Sequence, residues 1–183
     1  MLSFDDRATR WINSLSGHHA AIDHIIIAIS AWAVPVLVVA VALQWWSGED
    51  RHANRRILVS AGLSFCVALA INQLILLVVH RVRPYDAGVT QLLIERSHDP
   101  SFPSDHATAT AAIAAAFLFK HAPRRAALFG AASIIVSLSR VYIGTHYLSD
   151  VLGGGLTGLL GAWIVGRTYR ADTKFDRLIT SVF

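Results

Sequence analysis

Five runs of mostly apolar residues, at about 21–45, 57–79, 104–119, 126–142 and 147–169, leave this 183-residue chain few ways to fold. A helix needs roughly 20 such residues to cross a bilayer, and the runs leave no room for a second soluble domain. The third run is short and alanine-rich, and the first contains Pro35, which a membrane helix tolerates when neighbours satisfy the freed carbonyl. Charged residues make up 15% of the chain, against about 25% in an ordinary soluble domain. The expected fold is all-α: a polytopic bundle of about five transmembrane helices in a single membrane-embedded domain over 1–183.

Ahead of the first run, residues 2–15 read as a short amphipathic helix. Leu2, Phe4, Ala8, Trp11, Ile12 and Leu15 can share a face, opposite Asp5, Asp6, Arg7 and Arg10. Such a helix is expected to lie in the membrane interface rather than span it. Residues 1–17 lack the basic, apolar, small-residue order of a cleaved signal, so the first span is expected to act as its own insertion signal. Cys66, the one cysteine, lies inside an apolar run, which excludes an intrachain disulfide and suits a small packing residue.

The net charge of +4 and pI near 9.7 would suit a nucleic-acid binder. The basic residues, however, cluster beside apolar runs, as membrane topology places them. Arg51, Arg55 and Arg56 follow the first span, Lys120, Arg124 and Arg125 the third, and Arg167, Arg170, Lys174 and Arg177 close the fifth. Together these are ten of the sixteen basic residues, on one side of a five-span bundle. The positive-inside rule makes that side cytoplasmic. The N-terminus, the long connection 80–103 and the turn between spans four and five then face outward. The partners implied are a bilayer and a membrane substrate, with no nucleic acid. Trp45 and Trp46 fall where an aromatic belt would meet the cytoplasmic interface. Gly153, Gly154, Gly155, Gly158 and Gly161 give span five a small-residue face for close packing.

Both outward connections hold polar residues that are costly beside a bilayer and usually mark a site. The first carries Arg81, Arg83, Pro84, Ser101, Pro103, Ser104, Asp105 and His106; the second carries Ser139, Arg140, Tyr142, Gly144, Thr145, His146 and Asp150. His146 and Asp150 are four apart and share a face if the helix has begun. A carboxylate there can hold one imidazole nitrogen and leave the other nucleophilic. On that spacing alone, a helix-start pair satisfying itself is the better explanation. Ser104, after Pro103 and before an alanine-rich run, reads as an N-cap, and a helix start is an anion site. His106 lies in that first turn, placed to donate a proton to a departing oxygen. Arg83 and Arg140 end neighbouring spans on the same side, and guanidinium forks bind phosphate oxygens in pairs. A purely structural explanation no longer covers all six.

With these residues in view, the chain resembles the type 2 phosphatidic acid phosphatase superfamily. The second motif of that family stands here as Pro103-Ser104-Asp105-His106. The third is complete, as Ser139-Arg140-Val141-Tyr142-Ile143-Gly144-Thr145-His146-Tyr147-Leu148-Ser149-Asp150, and the first survives as Arg83-Pro84. The resemblance covers about 72–150. It implies a membrane phosphatase with no metal or other cofactor. His146 would attack phosphorus with Asp150 orienting its ring, while Arg83, Arg140 and Ser104 hold the phosphate and His106 protonates the leaving group.

Two positions depart from the family pattern. Its lysine, seven before the arginine of the first motif, falls on Leu76, with Arg81 or Arg96 as candidate replacements. The glycine of the second motif is Asp105, a further candidate site residue. These departures, with Asn72 and Ser101-Phe102, are similar to the bacitracin-resistance undecaprenyl diphosphate phosphatases. That similarity implies a terminal phosphate released from undecaprenyl diphosphate at the outer face of a bacterial inner membrane. Two alternatives stay open: a phosphatase of phosphatidate or phosphatidylglycerol phosphate, and a small transporter or channel with an anion site. Vanadate-dependent halide oxidation fits poorly, since those relatives are soluble and rely on the missing lysine.

The remaining polar residues have plainer explanations. Asn72 and Gln73 suit interhelical hydrogen bonds, and Asp23 and His24 an interfacial pair that satisfies itself. His18, His19, His52, His80, His98 and His121 fall at span ends or in loops. Trp32 and Trp163 suit packing.

Overall fold

The computed structural model describes residues 3–181, and every regular element among them is helical. The elements are α1 (Phe4–Asn13), α2 (Ala20–Leu43), α3 (Arg51–Leu76), α4 (Asp105–Phe119), α5 (Pro123–Tyr142), α6 (Leu148–Thr168) and α7 (Lys174–Thr180). A single 3-10 turn, Gln44–Trp46, extends α2. Leu2, expected on the apolar face of the first helix, lies outside the described residues.

Four helices are long and apolar enough to cross a membrane: α2 with its 3-10 extension, α3, α5 and α6. The fifth expected span, α4, has only 15 residues and reaches about 22 Å at 1.5 Å per residue. It is central rather than peripheral, packed against α3, α5 and α6. Its alanines suit that position, since small side chains allow close packing and Ala107, Ala109, Ala112, Ala115 and Ala116 are all buried. The short helix is sheltered along its middle, where Thr108, Thr110, Ile113 and Phe117 are also buried, so its backbone and hydroxyls meet protein.

Helix α6 approaches α4 through Gly154 and Gly158, and α3 through Gly161, where an added Cβ would lie 2.6 Å from Ala68 Cβ. Gly155, expected on the same face, meets open space instead. Helix α2 is the loosest span. Only Ser30 along it is buried, and Ile22, Ile25, Trp32, Val36, Val39 and Leu43 are exposed, as suits a lipid-facing surface.

The connection 77–104 is not helical, yet it is held by specific bonds. Ser101 N–H donates to Arg81 O (2.8 Å), Leu93 N–H to Ile143 O (3.1 Å), and the Tyr85 hydroxyl to Ser97 O (2.7 Å). It lies directly on the α5–α6 turn. Gly144 there has φ +85°, and a Cβ would sit 2.2 Å from Gln91 O, so only glycine fits.

Helix α1 keeps its apolar face outward, as an interfacial helix does, and turns its polar side to protein. Phe4, Trp11 and Leu15 are exposed. Thr9 and Asn13 are buried, the Thr9 hydroxyl accepts Leu148 N–H (2.9 Å), and Asn13 Nδ2 donates to Tyr142 O (2.8 Å). Asp5, on the same polar side, accepts from Ser149 and Arg81.

Candidate active site

His146 stands in the turn between α5 and α6 and is 4% exposed. Its Nδ1 lies 2.8 Å from the backbone oxygen of Ser101. A carbonyl can only accept, so Nδ1 carries the proton and Nε2 keeps its lone pair. The Asp150 carboxylate, expected to hold the ring, is 3.7 Å from Nδ1, too far for a hydrogen bond. Its grip is indirect. Asp150 Oδ2 accepts from the Ser101 hydroxyl (2.5 Å) and Tyr147 N–H (2.8 Å), and Oδ1 accepts from Arg81 Nη1 (2.6 Å). Asp150 thus fixes the residue whose carbonyl orients the histidine. Burial lowers the His146 pKa from its ordinary value near 6.5, opposed by Asp150 and reinforced by the charges of Arg140 and Arg83.

His146 lines a cavity of about 600 Å³ shared with Arg83, Arg140, His106 and Asp105. The cavity opens where α3 and α5 end and α4 and α6 begin. Arg83 donates Nε to Asp99 O (2.8 Å) and Nη1 to Thr145 O (3.1 Å), and its Nη2 makes no hydrogen bond among the described residues. Arg140 Nη1 donates to the Ser30 hydroxyl (2.5 Å). Two buried polar side-chain atoms have no partner among the described residues: Arg140 Nε and Ser104 Oγ. Ser104 occupies the N-cap position of α4, but its hydroxyl caps nothing in that helix, contrary to the sequence expectation. Unsatisfied buried groups of this kind cost about 1–3 kcal/mol each, and with two guanidinium groups on its wall the cavity is suited to an anion.

Asp105 also lines the cavity, and its Oδ1 accepts from Asn72 Nδ2 (2.6 Å) and Gln73 Nε2 (3.3 Å). Asn72 further donates to Pro103 O (3.3 Å) and accepts from Thr108 (3.0 Å), tying α3 to α4 as interhelical residues do. Leu76 and Leu77 form the cavity wall where the family lysine would stand.

Neither proposed substitute for that lysine reaches the cavity. Arg81 is bound to Asp5, Ser149 and Asp150 and lies over the Tyr147 ring at 3.9 Å. Arg96 pairs with Asp86 at 3.1 Å with 71% of its side chain exposed. Asp23 accepts from Tyr142 OH (2.8 Å) and Gly17 N–H (3.2 Å), a satisfied interfacial group.

Sequence reasoning missed Ser30, the one buried residue of α2, and named Ser101 in the polar connection and as a family marker without giving it a role at the histidine. It also read His80 and Glu95 past: both line the cavity. The available signal for Ser30 was a lone hydroxyl in an apolar run, which in a membrane faces protein rather than lipid.

The PAP2 superfamily model matches residues 57–174, which excludes α1 and α2. Undecaprenyl-diphosphatase BcrC of Bacillus subtilis is 32% identical over 176 residues, covering 94% of this chain and 88% of that protein. Phosphatidylglycerophosphatase B of Bacillus subtilis is 30% identical over 165 residues, covering 85% and 74%. Among solved structures, a transmembrane PAP2 type phosphatidylglycerolphosphate phosphatase from Bacillus subtilis superposes with a TM-score of 0.68. That pair shares 22% identity, with 93% of this chain and 87% of that one covered.

Proposed function

Because the chain belongs to the PAP2 superfamily, we propose that it is a metal-independent membrane phosphatase that removes the terminal phosphate of undecaprenyl diphosphate. One observation carries the site assignment. Arg140 has an unpartnered buried nitrogen, and it lines the same cavity as Arg83 and both histidines. The lipid nature of the substrate is supported by Leu77, which lines the cavity and is 73% exposed at the end of the membrane-spanning helix α3. A headgroup can then sit among the cations while its tail stays in the bilayer.

In the first step, His146 Nε2 attacks the terminal phosphorus and the bond to the bridging oxygen breaks. His106 gives its proton to that oxygen, and undecaprenyl phosphate leaves. Arg83, Arg140, Ser104 and the N–H groups at the start of α4 hold the equatorial oxygens as charge spreads over them. The phosphohistidine keeps its Nδ1 proton on the Ser101 carbonyl, with the Asp150 charge nearby. In the second step, His106 takes a proton from water, the hydroxide attacks phosphorus, and the P–N bond breaks to free phosphate. The two arginines supply positive charge that a metal supplies in other phosphatases.

The outward orientation rests on the basic residues at the opposite end of the bundle, and a bacterial inner membrane on the relatives' organisms. Substrate choice rests on the relatives named undecaprenyl-diphosphatase. The 30% identity to a phosphatidylglycerophosphatase supports a second reading with the same residues. Purified chain in detergent should release phosphate from a polyprenyl diphosphate faster than from phosphatidylglycerol phosphate or phosphatidate; the reverse order selects the second reading. His146→Ala should abolish release while the protein stays folded, and full hydrolysis by that variant would sink the mechanism.

A further inference from the structure

We propose that Asp5 is a positioning residue for hydrolysis: through Arg81 and Asp150 it fixes the Ser101 carbonyl that orients His146. The proposal rests on the phosphohistidine chemistry above and concerns a helix outside the matched family region. Asp5 Oδ1 accepts Ser149 N–H (3.0 Å), and Oδ2 accepts the Ser149 hydroxyl (2.5 Å) and Arg81 Nη2 (2.6 Å). Arg81 Nη1 then donates to Ser149 Oγ (2.6 Å) and Asp150 Oδ1 (2.6 Å). Asp150 is fully buried and accepts from the Ser101 hydroxyl, and the Ser101 carbonyl accepts a hydrogen bond from His146 Nδ1–H. Five side chains therefore link α1 to the nucleophile without a gap.

The charges make the order of the chain matter. Arg81 stands between two carboxylates and on the Tyr147 ring, so its plane is fixed from three directions. Bonds from Ser149 and Arg81 hold the Asp5 carboxyl below its ordinary range, although burial opposes them. Without Asp5 the guanidinium loses the carboxylate on Nη2 and is held only through Nη1, by Asp150 and a Ser149 that has itself lost its anchor, and by the Tyr147 ring. Ser149 loses both of its acceptors on α1 at the start of α6. Asp150 and Ser101 then lose the constraint that aims the ring. A plain structural role for α1 would cost stability and leave the histidine of folded molecules oriented as before.

The test uses the full chain in detergent, with Asp5→Ala, Asp5→Asn and Asp5→Glu compared on a polyprenyl diphosphate. Misplacing a reacting group by about 1 Å can cost 100-fold. The expected result is a kcat loss of about 10- to 100-fold with KM unchanged, and substantial recovery in Asp5→Glu. Nitrogen NMR of the His146 ring should show its single Nδ1–H tautomer give way to a mixture in Asp5→Asn. Wild-type kcat in folded Asp5→Asn, with the tautomer intact, would overturn the proposal, even if thermal stability fell. If Asp5→Ala does not fold, Asp5→Asn decides, because it keeps an acceptor for Ser149. Hydrolysis surviving in His146→Ala would remove the mechanism itself, a failure separate from that of Asp5.

Discussion

Gly154→Ala tests whether the contact between α4 and α6 sets the catalytic geometry. Gly154 is one turn beyond Asp150, and a Cβ there would lie 2.5 Å from the Ser104 carbonyl oxygen, 3.0 Å from Ala107 Cβ and 3.1 Å from Thr108 Oγ1. Ordinary contact begins near 3.4 Å, so the carbonyl must retreat by about 0.9 Å. It cannot swing aside, because it accepts both the N–H and the hydroxyl of Thr108 at 2.9 Å. The start of α4 must move as a unit. Overpacking of this kind costs about 1–3 kcal/mol, partly offset by about 0.5–1 kcal/mol from replacing glycine within a helix. The larger effect is catalytic. The displaced turn carries Ser104 and His106 away from His146, and a shift near 1 Å can cost about 100-fold in rate. Phosphate release and thermal unfolding in the same detergent read the two effects. Gly155→Ala is the control, since a Cβ there meets nothing within 4 Å; it should keep full activity and gain a little stability. A Gly154→Ala protein with wild-type kcat and an unshifted unfolding midpoint would refute the reasoning.

Nitrogen NMR of the free protein should find His146 neutral at pH 6.5 with its proton on Nδ1, and a midpoint at or above 6.5 would contradict the burial argument. Because the folded-state pKa is lowered, the unfolded chain binds more protons between that value and 6.5, so stability falls as pH drops through this window. Ser30→Ala should lower kcat/KM by about tenfold, the equivalent of one charge-assisted hydrogen bond on Arg140, with Ser30→Thr near wild type; an unchanged kcat/KM would show that Arg140 needs no help from α2. Activity should persist in EDTA, and a loss restored only by a divalent ion would remove the metal-free scheme. In a Cys66→Ser background, Ala87→Cys should label from the outside of intact cells and Glu49→Cys only after permeabilisation, whereas the opposite pattern would invert the topology.

The spans were legible because hydrocarbon demands continuous apolar runs, and helix ends fall within a few residues of where polarity returns. Helix α4 was legible as a helix but not as the centre of the bundle. An alanine-rich run reads alike whether lipid or protein surrounds it. At the site, His106, Arg83, Arg140 and His146 could be found because each belongs to a local pattern. The roles of Ser101 and Ser30 could not. Their decisive bonds join residues 45 and 110 apart in sequence, and no local periodicity reports a partner at that distance. The same limit explains Asp150, whose four-residue spacing from His146 suggested a direct bond that the intervening Ser101 hydroxyl and carbonyl replace.

Helix α1 shows a different limit, one of solvent rather than distance. Periodicity separates two faces of a helix but does not say which one meets protein. In water the apolar face turns inward. At a bilayer the surroundings of Phe4, Trp11 and Leu15 are themselves apolar, so their exposure costs little. The polar face is then free to bond inward, and here it has specific work: Asp5, Thr9 and Asn13, at four-residue spacing, receive Ser149 and Leu148 N–H groups and grip the Tyr142 carbonyl. Those are the free backbone groups of the ends of α5 and α6, which a helix terminus must otherwise satisfy alone. An interfacial helix whose polar stripe matches two helix ends therefore has a better place than the water surface, and that place is beside the catalytic turn.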